Sequence, residues 1–243
     1  MTEKSPALML GTSGWTYDHW KEVFYPSDVP KKRWFEYFSR HFDTVEINAS
    51  FYRIPTSKVT QGWADKSPDK FRFAVKVSRL ISHVKKLRNC EHELEWFFSS
   101  FEPLKKKVAV YLIQLPPSLK YDPGRLAEFL DMLPQGRYAV EFRNTSWYND
   151  EIYELLSRKK VAFCIHDMPE LQTEKIVTAD SVYLRFHGYF DLYGGDYPDS
   201  VLKEWASWIR KQHSEGKDVY GYFNNDLEGF AVKNCRRLKE LLG

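Results

Sequence analysis

Charged and polar side chains gather near the ends of several short apolar segments of this 243-residue chain. Glu46 and Glu141 are carboxylates that could divide the roles of acid and base, or of acid and nucleophile. Asp167 and His187 are further candidates for proton transfer. Lysines and arginines occupy the same segments, and guanidinium groups match the oxygens of a phosphate. These residue types predict a site for a phosphate-bearing ligand.

The predicted catalytic residues are Glu46, Glu141, His187 and Asp167. The predicted substrate-binding residues have cationic or amide groups suited to a phosphate, or rings suited to stacking on a base or a sugar. They are Trp15, Asn48, Tyr52, Lys76, Arg79, His83, Gln114, Arg143, Trp147, Arg185, Asn224 and Asn225. The alternative for the aromatic members is that they fill the core or the rim of the fold.

A divalent metal is a further hypothesis, because imidazole and carboxylate groups together suit zinc or manganese. The candidate ligands are Glu46, Glu141, His166, Asp167 and His187. We do not favour a metal, since the sequence has no HxH or HExxH spacing and the nearby cations would oppose a divalent ion. The cofactor stays unassigned. The sequence also lacks a GxSxG nucleophile motif.

The elements that must position these residues alternate regularly along the chain. Short β-branched or aromatic segments at 8–13, 44–48, 71–77, 108–114, 138–143, 161–166, 182–187 and 219–224 predict eight strands. Amphipathic segments at 31–41, 91–106, 124–133, 150–159, 199–215 and 228–242 predict helices, with weaker signals at 56–64 and 172–179. An α/β chain with eight such units in about 250 residues predicts a (β/α)8 TIM-type barrel. The segment at 11–15 lacks the GxGxxG turn of an open nucleotide-binding sheet.

The alternation of side chains along the strands selects the residues that face the barrel axis. Residues two apart share a face, so Glu141 and Arg143 lie together, as do Tyr183, Arg185 and His187. A buried charge must be paired, hydrated or used, because leaving it alone costs several kcal/mol. Barrel active sites lie at the carboxyl ends of the strands, so we expect a site there. The alternative is an ion-pair network that caps the barrel.

Composition and charge limit the class of protein. The chain is 43% hydrophobic and 28% charged, as in a folded globular protein, and we assign residues 1–243 to one domain. A net charge of +3 is too small to indicate nucleic acid or an anionic membrane by itself. We expect no membrane span and no signal peptide, since no long apolar run occurs. Three scattered cysteines without CxxC spacing indicate a reducing cytoplasm. The oligomeric state is not readable.

Seven motifs follow one another at the predicted strand ends. They are GTSGW (11–15), EINASFY (46–52), FAVKVSRLISH (73–83), QLPPS (114–118), EFRNTSW (141–147), YLRFHG (183–188) and YFNND (222–226). In this order they resemble the family catalogued as domain of unknown function 72, the YecE-like proteins. The one departure is Ser82, where we expect Thr. The resemblance implies a TIM-type barrel related in architecture to sugar isomerases and endonuclease IV, and it implies no reaction.

The leading hypothesis is an enzyme of the phosphodiesterase or nuclease type that acts at the barrel mouth on a phosphate-bearing small molecule or a nucleic acid. Lys76, Arg143 and Arg185 would hold the phosphate, and Glu46 or Glu141 would be the base. The second hypothesis is carbohydrate chemistry by the Glu46 and Glu141 pair. The third is a non-catalytic protein that binds a phosphate ligand or nucleic acid.

Overall fold

Eight parallel strands form a closed barrel in the order β1 to β8 in this computed structural model, which describes residues 5–169 and 171–243. The strands are β1 (Leu8–Ser13), β2 (Thr44–Ile47), β3 (Arg72–Lys76), β4 (Val108–Gln114), β5 (Tyr138–Glu141), β6 (Ala162–Asp167), β7 (Ser181–Phe186) and β8 (Asp218–Phe223). The α-helices are α1 (Trp34–Phe38), α2 (Ala49–Tyr52), α3 (Ser57–Lys66), α4 (Glu91–Phe101), α5 (Pro123–Asp131), α6 (Asp150–Arg158), α7 (Asp199–Ser214) and α8 (Phe230–Leu242). The predicted (β/α)8 TIM-type barrel is confirmed.

The predicted elements agree with the structure at all eight strands and at most helices. The helix expected at 172–179 is wrong, since these residues contain no helix. Instead, threonine hydroxyls of this segment accept backbone N–H groups of β6: Thr178 Oγ1 from Phe163 at 2.8 Å and Thr173 Oγ1 from His166 at 2.9 Å. Such side-chain bonds to the backbone compete with helix formation. The sequence did not predict α2 or the π-helical turn Leu80–Val84.

The chain divides into two compact units, and each is described by itself. Unit 1 comprises Met1–Glu46, Ile165–Lys175 and Asp180–Gly243, and unit 2 comprises Ile47–Cys164 and Ile176–Ala179. The assignment of the whole chain to one domain stays a prediction.

Strand register in unit 1 sets which side chains meet. β1 pairs with β2 so that Ser13 lies opposite Glu46, and β7 pairs with β8 so that Arg185 lies opposite Tyr222. The close approach of β1 to β2 requires glycine at Gly11, because a Cβ there would lie 2.3 Å from the backbone oxygen of Thr44. This contact fixes the ends of β1 and β2 against each other.

Each unit has an aromatic core beneath its strands. In unit 1 the Tyr25 and Trp34 rings stack with centroids 4.4 Å apart. In unit 2 Phe71 and Phe73 meet edge to face at 4.9 Å, and both are fully buried. Burying a side chain of this size stabilises the fold by roughly 1.5–3 kcal/mol. The strands are therefore rigid supports for the polar groups at their ends.

Candidate functional site

A buried carboxylate network lies in unit 1 and is centred on Glu46, which has no exposed surface. Glu46 Oε1 accepts hydrogen bonds from Ser13 Oγ at 2.5 Å and from Arg185 Nη2 at 2.7 Å. Glu46 Oε2 accepts one from the Tyr183 hydroxyl at 2.6 Å. Tyr183 and Arg185 reach the same carboxylate because they share one face of β7, as their spacing predicts.

These contacts keep Tyr183 protonated. Burial first, and then the charge of Glu46, raise the pKa of Tyr183 well above its usual value, so its hydroxyl remains a donor. Arg185 is itself 1% exposed. Glu46 therefore holds Arg185 and the hydroxyls of Ser13 and Tyr183, and its predicted catalytic role stays a prediction.

The network continues from Arg185 to His187, which is also fully buried. Arg185 Nη1 lies 3.4 Å from His187 Nε2, and Asn224 Nδ2 lies 3.1 Å from His187 Nδ1. His187 and Asn224, both predicted site residues, therefore lie together with Glu46 and Arg185 in unit 1.

Asp167 is the other predicted catalytic residue of unit 1. Its carboxylate accepts hydrogen bonds from Trp205 Nε1 at 3.2 Å and from Gln172 Nε2 at 3.1 Å. Burial raises the pKa of Asp167, and these two bonds and the Lys175 charge oppose that shift. The backbone oxygen of Asp167 also accepts the amide of His187 at 2.8 Å, so Asp167 lies beside the buried carboxylate network.

Asn225 and Trp15 contact other residues of unit 1. Asn225 is fully buried and donates to the Gly195 oxygen and to Asn234 Oδ1, both at 2.9 Å. The Trp15 ring packs at 5.2 Å from Phe35. Their predicted binding roles stay predictions.

A cationic cluster lies in unit 2, and we define it as Lys76, Arg79, His83 and Arg143 together with the carboxylate of Glu141. Lys76 ends β3 and is 8% exposed, with Nζ 4.0 Å from the centre of the Phe51 ring. Arg143 Nε donates to Glu141 Oε1, as expected for two residues on one face of a strand. Glu141 has no exposed surface. Its carboxylate therefore orients the Arg143 guanidinium.

His83 lies on the π-helical turn Leu80–Val84, a feature that often marks functional sites. Its Nδ1 is 2.9 Å from Ser82 Oγ, and its ring meets Phe51 edge to face at 4.8 Å. Burial, followed by the positive charges of the cluster, lowers the pKa of His83 to about 4. These charges belong to Lys76, Arg79 and Arg143, and Glu141 opposes them. The imidazole is neutral at pH 7 and stands in a positive potential.

Four other predicted binding residues lie in unit 2. Tyr52 is 75% exposed, and its ring contacts Phe51 at 5.2 Å. Gln114 is half-buried at the end of β4, opposite Glu141 in the sheet register. The buried Oδ1 of Asn48 has no hydrogen-bond partner among the described residues. Trp147 has no exposed surface.

Trp147 is a core residue. It stacks on Phe142 at 4.9 Å and donates from Nε1 to the Leu119 oxygen at 2.7 Å. The ring has no exposed surface, and its predicted binding role stays a prediction. A tryptophan whose N–H has a hydrogen-bond partner packs well in a core. Filling of the core is the alternative reading of the aromatic residues in the sequence.

Sequence reasoning missed Ser13, Tyr183 and Ser82 as partners of the site residues. Ser13 belongs to the GTSGW motif and Tyr183 shares the parity of Arg185, so a signal existed for both. Ser82 precedes His83, and its contact with the imidazole depends on the π-helical turn, for which we found no sequence signal.

No group of three or more His, Cys, Asp or Glu side chains that could hold a metal ion occurs within residues 5–169 and 171–243. Over the same residues, no helix combines the length and the apolar character needed to cross a membrane. The candidate metal ligands of the sequence analysis therefore do not form such a group in the described part of the chain.

The comparisons with known proteins agree with the fold. The family model described as "Protein of unknown function DUF72" matches residues 9–243. The chain is 28% identical to the UPF0759 protein YunF of Bacillus subtilis (strain 168), over 97% of this chain and 94% of the relative. It is 30% identical to the UPF0759 protein YecE of Escherichia coli (strain K12), over 58% of this chain and 50% of the relative. The crystal structure of a DUF72 family protein from Thermotoga maritima MSB8 superposes with a TM-score of 0.88 and 28% identity, covering 97% of this chain and 99% of that chain.

Proposed function

The chain belongs to the DUF72 family, and because that family is one of unknown function, we propose an activity from this chain's own residues. The cationic cluster binds the phosphate group of a phosphate-bearing ligand, and the protein is an enzyme that acts on that ligand. A nucleic-acid phosphodiester is one member of this ligand class.

The observation that carries the proposal is the excess of positive charge around His83, which is partly buried. The charged groups that act on His83 are the three cations Lys76, Arg79 and Arg143 and one carboxylate, Glu141. Lys76 is buried and Arg143 is 9% exposed at its side chain, so water screens their charges poorly. An oxyanion with two negative charges would balance this excess. Sugars and other neutral ligands would not.

The fixed orientation of Arg143 supports recognition of phosphate in particular. Glu141 accepts a hydrogen bond from Arg143 Nε and so orients the guanidinium, a planar group whose geometry matches phosphate oxygens. Cations held in this way also stabilise the charge that develops when a phosphoryl group is transferred. The exposed Tyr52 ring offers a stacking surface in the same unit for a base attached to the phosphate.

The carbohydrate hypothesis finds less support in the two glutamates. Glu46 accepts three hydrogen bonds, Glu141 is held by Arg143, and neither has exposed surface. A glycosidase needs a carboxylic acid that can protonate the leaving oxygen and a second carboxylate that reaches the sugar. In this chain both carboxylates serve arginines instead.

The test compares anionic and neutral ligands on the intact chain. We expect inorganic phosphate, sulfate and a mononucleotide to raise the melting temperature, because a ligand of the native state stabilises it. Lys76→Met should weaken phosphate binding about 10-fold or more, the loss expected when a charged hydrogen bond worth about 1.5–3 kcal/mol is removed. Lys106→Met removes an exposed lysine of the same unit and is the control.

Three outcomes separate the hypotheses. Protection by neutral glycosides but not by phosphate would overturn the proposal. Phosphate affinity that is indifferent to salt, or equally weakened in the Lys76 and Lys106 variants, would do the same. Phosphate binding without turnover of any phosphate mono- or diester would refute the proposed enzymatic activity, leave the proposed binding site intact and favour the non-catalytic alternative.

A further inference from the structure

We propose that oxyanion binding at the cationic cluster is coupled to the uptake of one proton by His83, so that an imidazolium faces the bound anion. The inference rests on the proposed phosphate-binding function and deepens it, since it identifies the side chain that carries the proton. It also specifies the ligand class as an oxyanion with two negative charges.

The hydrogen bonds of Ser82 determine which imidazole nitrogen accepts the proton. Ser82 Oγ lies 3.3 Å from the Ser78 backbone oxygen and 2.9 Å from His83 Nδ1. A carbonyl oxygen only accepts, so the Ser82 hydroxyl donates to Ser78 and the His83 Nδ1–H donates to Ser82. This arrangement leaves Nε2 as the basic nitrogen. Protonation at Nε2 keeps the bond to Ser82, because Nδ1 carries its hydrogen in both states.

The charges that face His83 come from β3, from the residues before the π-helical turn and from the end of β5. They are Lys76, Arg79, Arg143 and Glu141. The α2 side of His83 contributes the apolar ring of Phe51. Without a ligand these groups sum to three positive charges and one negative charge, which disfavours an imidazolium. A bound dianion adds two negative charges and brings the sum of these groups to zero, so the electrostatic opposition to protonation disappears.

Burial is the larger cause that keeps His83 neutral, with a pKa of about 4, and the cluster charges are the second. A dianion reverses the second cause, so His83 has a higher pKa in the complex than in the free protein. By linkage, the complex then binds more protons than the free protein. Affinity for the anion therefore rises as the pH falls through the pKa of the complex, and the gain levels off near the pKa of the free protein.

Sulfate is the probe, because it stays a dianion over the working range and does not titrate itself. Titration calorimetry on the intact chain between pH 7.5 and 5 should show sulfate affinity that increases about twofold as the pH falls, and proton uptake in buffers of different ionisation enthalpy. His83→Asn keeps a polar group beside Ser82 but cannot titrate, so its sulfate affinity should lose this pH dependence. His92→Asn, an exposed histidine of α4, should behave like the wild type.

The outcomes distinguish this inference from the function on which it rests. If the wild type shows no saturable sulfate or phosphate binding, both fall. If Lys76→Met abolishes binding but the wild type and His83→Asn share one pH profile, only the proton coupling falls. Should the His83 variant fail to fold, the ¹⁵N shifts of His83 in labelled wild type decide. Sulfate should move them toward imidazolium values at pH 5, and unchanged shifts at saturation would overturn the inference.

Discussion

Replacing Glu46 by Gln isolates the charge at the centre of the buried carboxylate network. The amide keeps the shape of the side chain, but Arg185 then loses the carboxylate that lies 2.7 Å from its Nη2. Arg185 is 1% exposed, so water cannot replace that partner. Leaving one member of a buried ion pair uncompensated destabilises a protein by about 3–5 kcal/mol. If the NH2 group of the introduced glutamine takes the place of Oε2, the Tyr183 hydroxyl also loses its acceptor, and the free energy of unfolding falls further.

Urea unfolding followed by tryptophan fluorescence should show that loss of unfolding free energy directly, and the melting temperature should fall by roughly 6–20 °C at about 2–4 °C per kcal/mol. Glu154→Gln makes the same chemical change at an exposed pair, where Glu154 Oε2 lies 3.7 Å from Arg158. Both partners there are more than half exposed, so little change is expected. The combined Glu46→Gln and Arg185→Met variant should be less destabilised than the sum of its parts. Equal stability of the Glu46 and Glu154 variants would refute the buried network.

Three further predictions concern residues outside the cationic cluster. Trp147→Phe should cost about 1–3 kcal/mol of stability, because it loses a buried hydrogen bond and ring volume. It should leave sulfate affinity unchanged, and a selective loss of affinity would instead support the predicted binding role. In urea unfolding, Gly188→Ala should destabilise the protein by roughly 1–3 kcal/mol, because its φ is +121° and a Cβ would lie 2.0 Å from the backbone oxygen of Asp191. Gly124→Ala is the control and should be neutral or stabilising, because the nearest atom to its Cβ would lie 4.0 Å away. Burial raises the pKa of Asp167 in the folded protein above its value in the unfolded chain. The free energy of unfolding should therefore fall as the pH rises from the pKa of the unfolded chain through that of the folded protein, because the carboxyl group loses its proton more easily in the unfolded chain. Asp167→Asn should lack this fall, and parallel stability curves from pH 3.5 to 6 would contradict the assignment.

The strands and the faces of their side chains were predictable because both follow from short-range rules. Buried parallel strands are nearly continuous apolar runs, so polar residues at alternate positions stand out against them. Glu141 and Arg143 share a face and form an ion pair, and Tyr183 and Arg185 share a face and meet one carboxylate. The bounds of β1 and β4 agree with the predicted ones to the residue.

The partners across strands and the local turns were not predictable in the same way. That Ser13 bonds Glu46 depends on the register of β1 against β2, which no local pattern encodes. The π-helical turn at Leu80–Val84 has no propensity signal, yet it sets the contact between Ser82 and His83. At 172–179 a weak amphipathic pattern suggested a helix, and two threonine hydroxyls bound to β6 outweighed it.

The residue types identify the charged groups in the sequence. What each group can do depends on its exposed surface and on the hydrogen bonds that it accepts in the structure. Glu46 and Glu141 are the residues that a sequence offers as bases, yet each is fully buried and each orients an arginine. A carboxylate in that position raises the precision with which its arginine is held. His83, by contrast, is partly exposed and neutral at pH 7, because burial first and then the cations of the cluster lower its pKa. The proposed anion would remove the second of these causes and allow the imidazole to take up a proton.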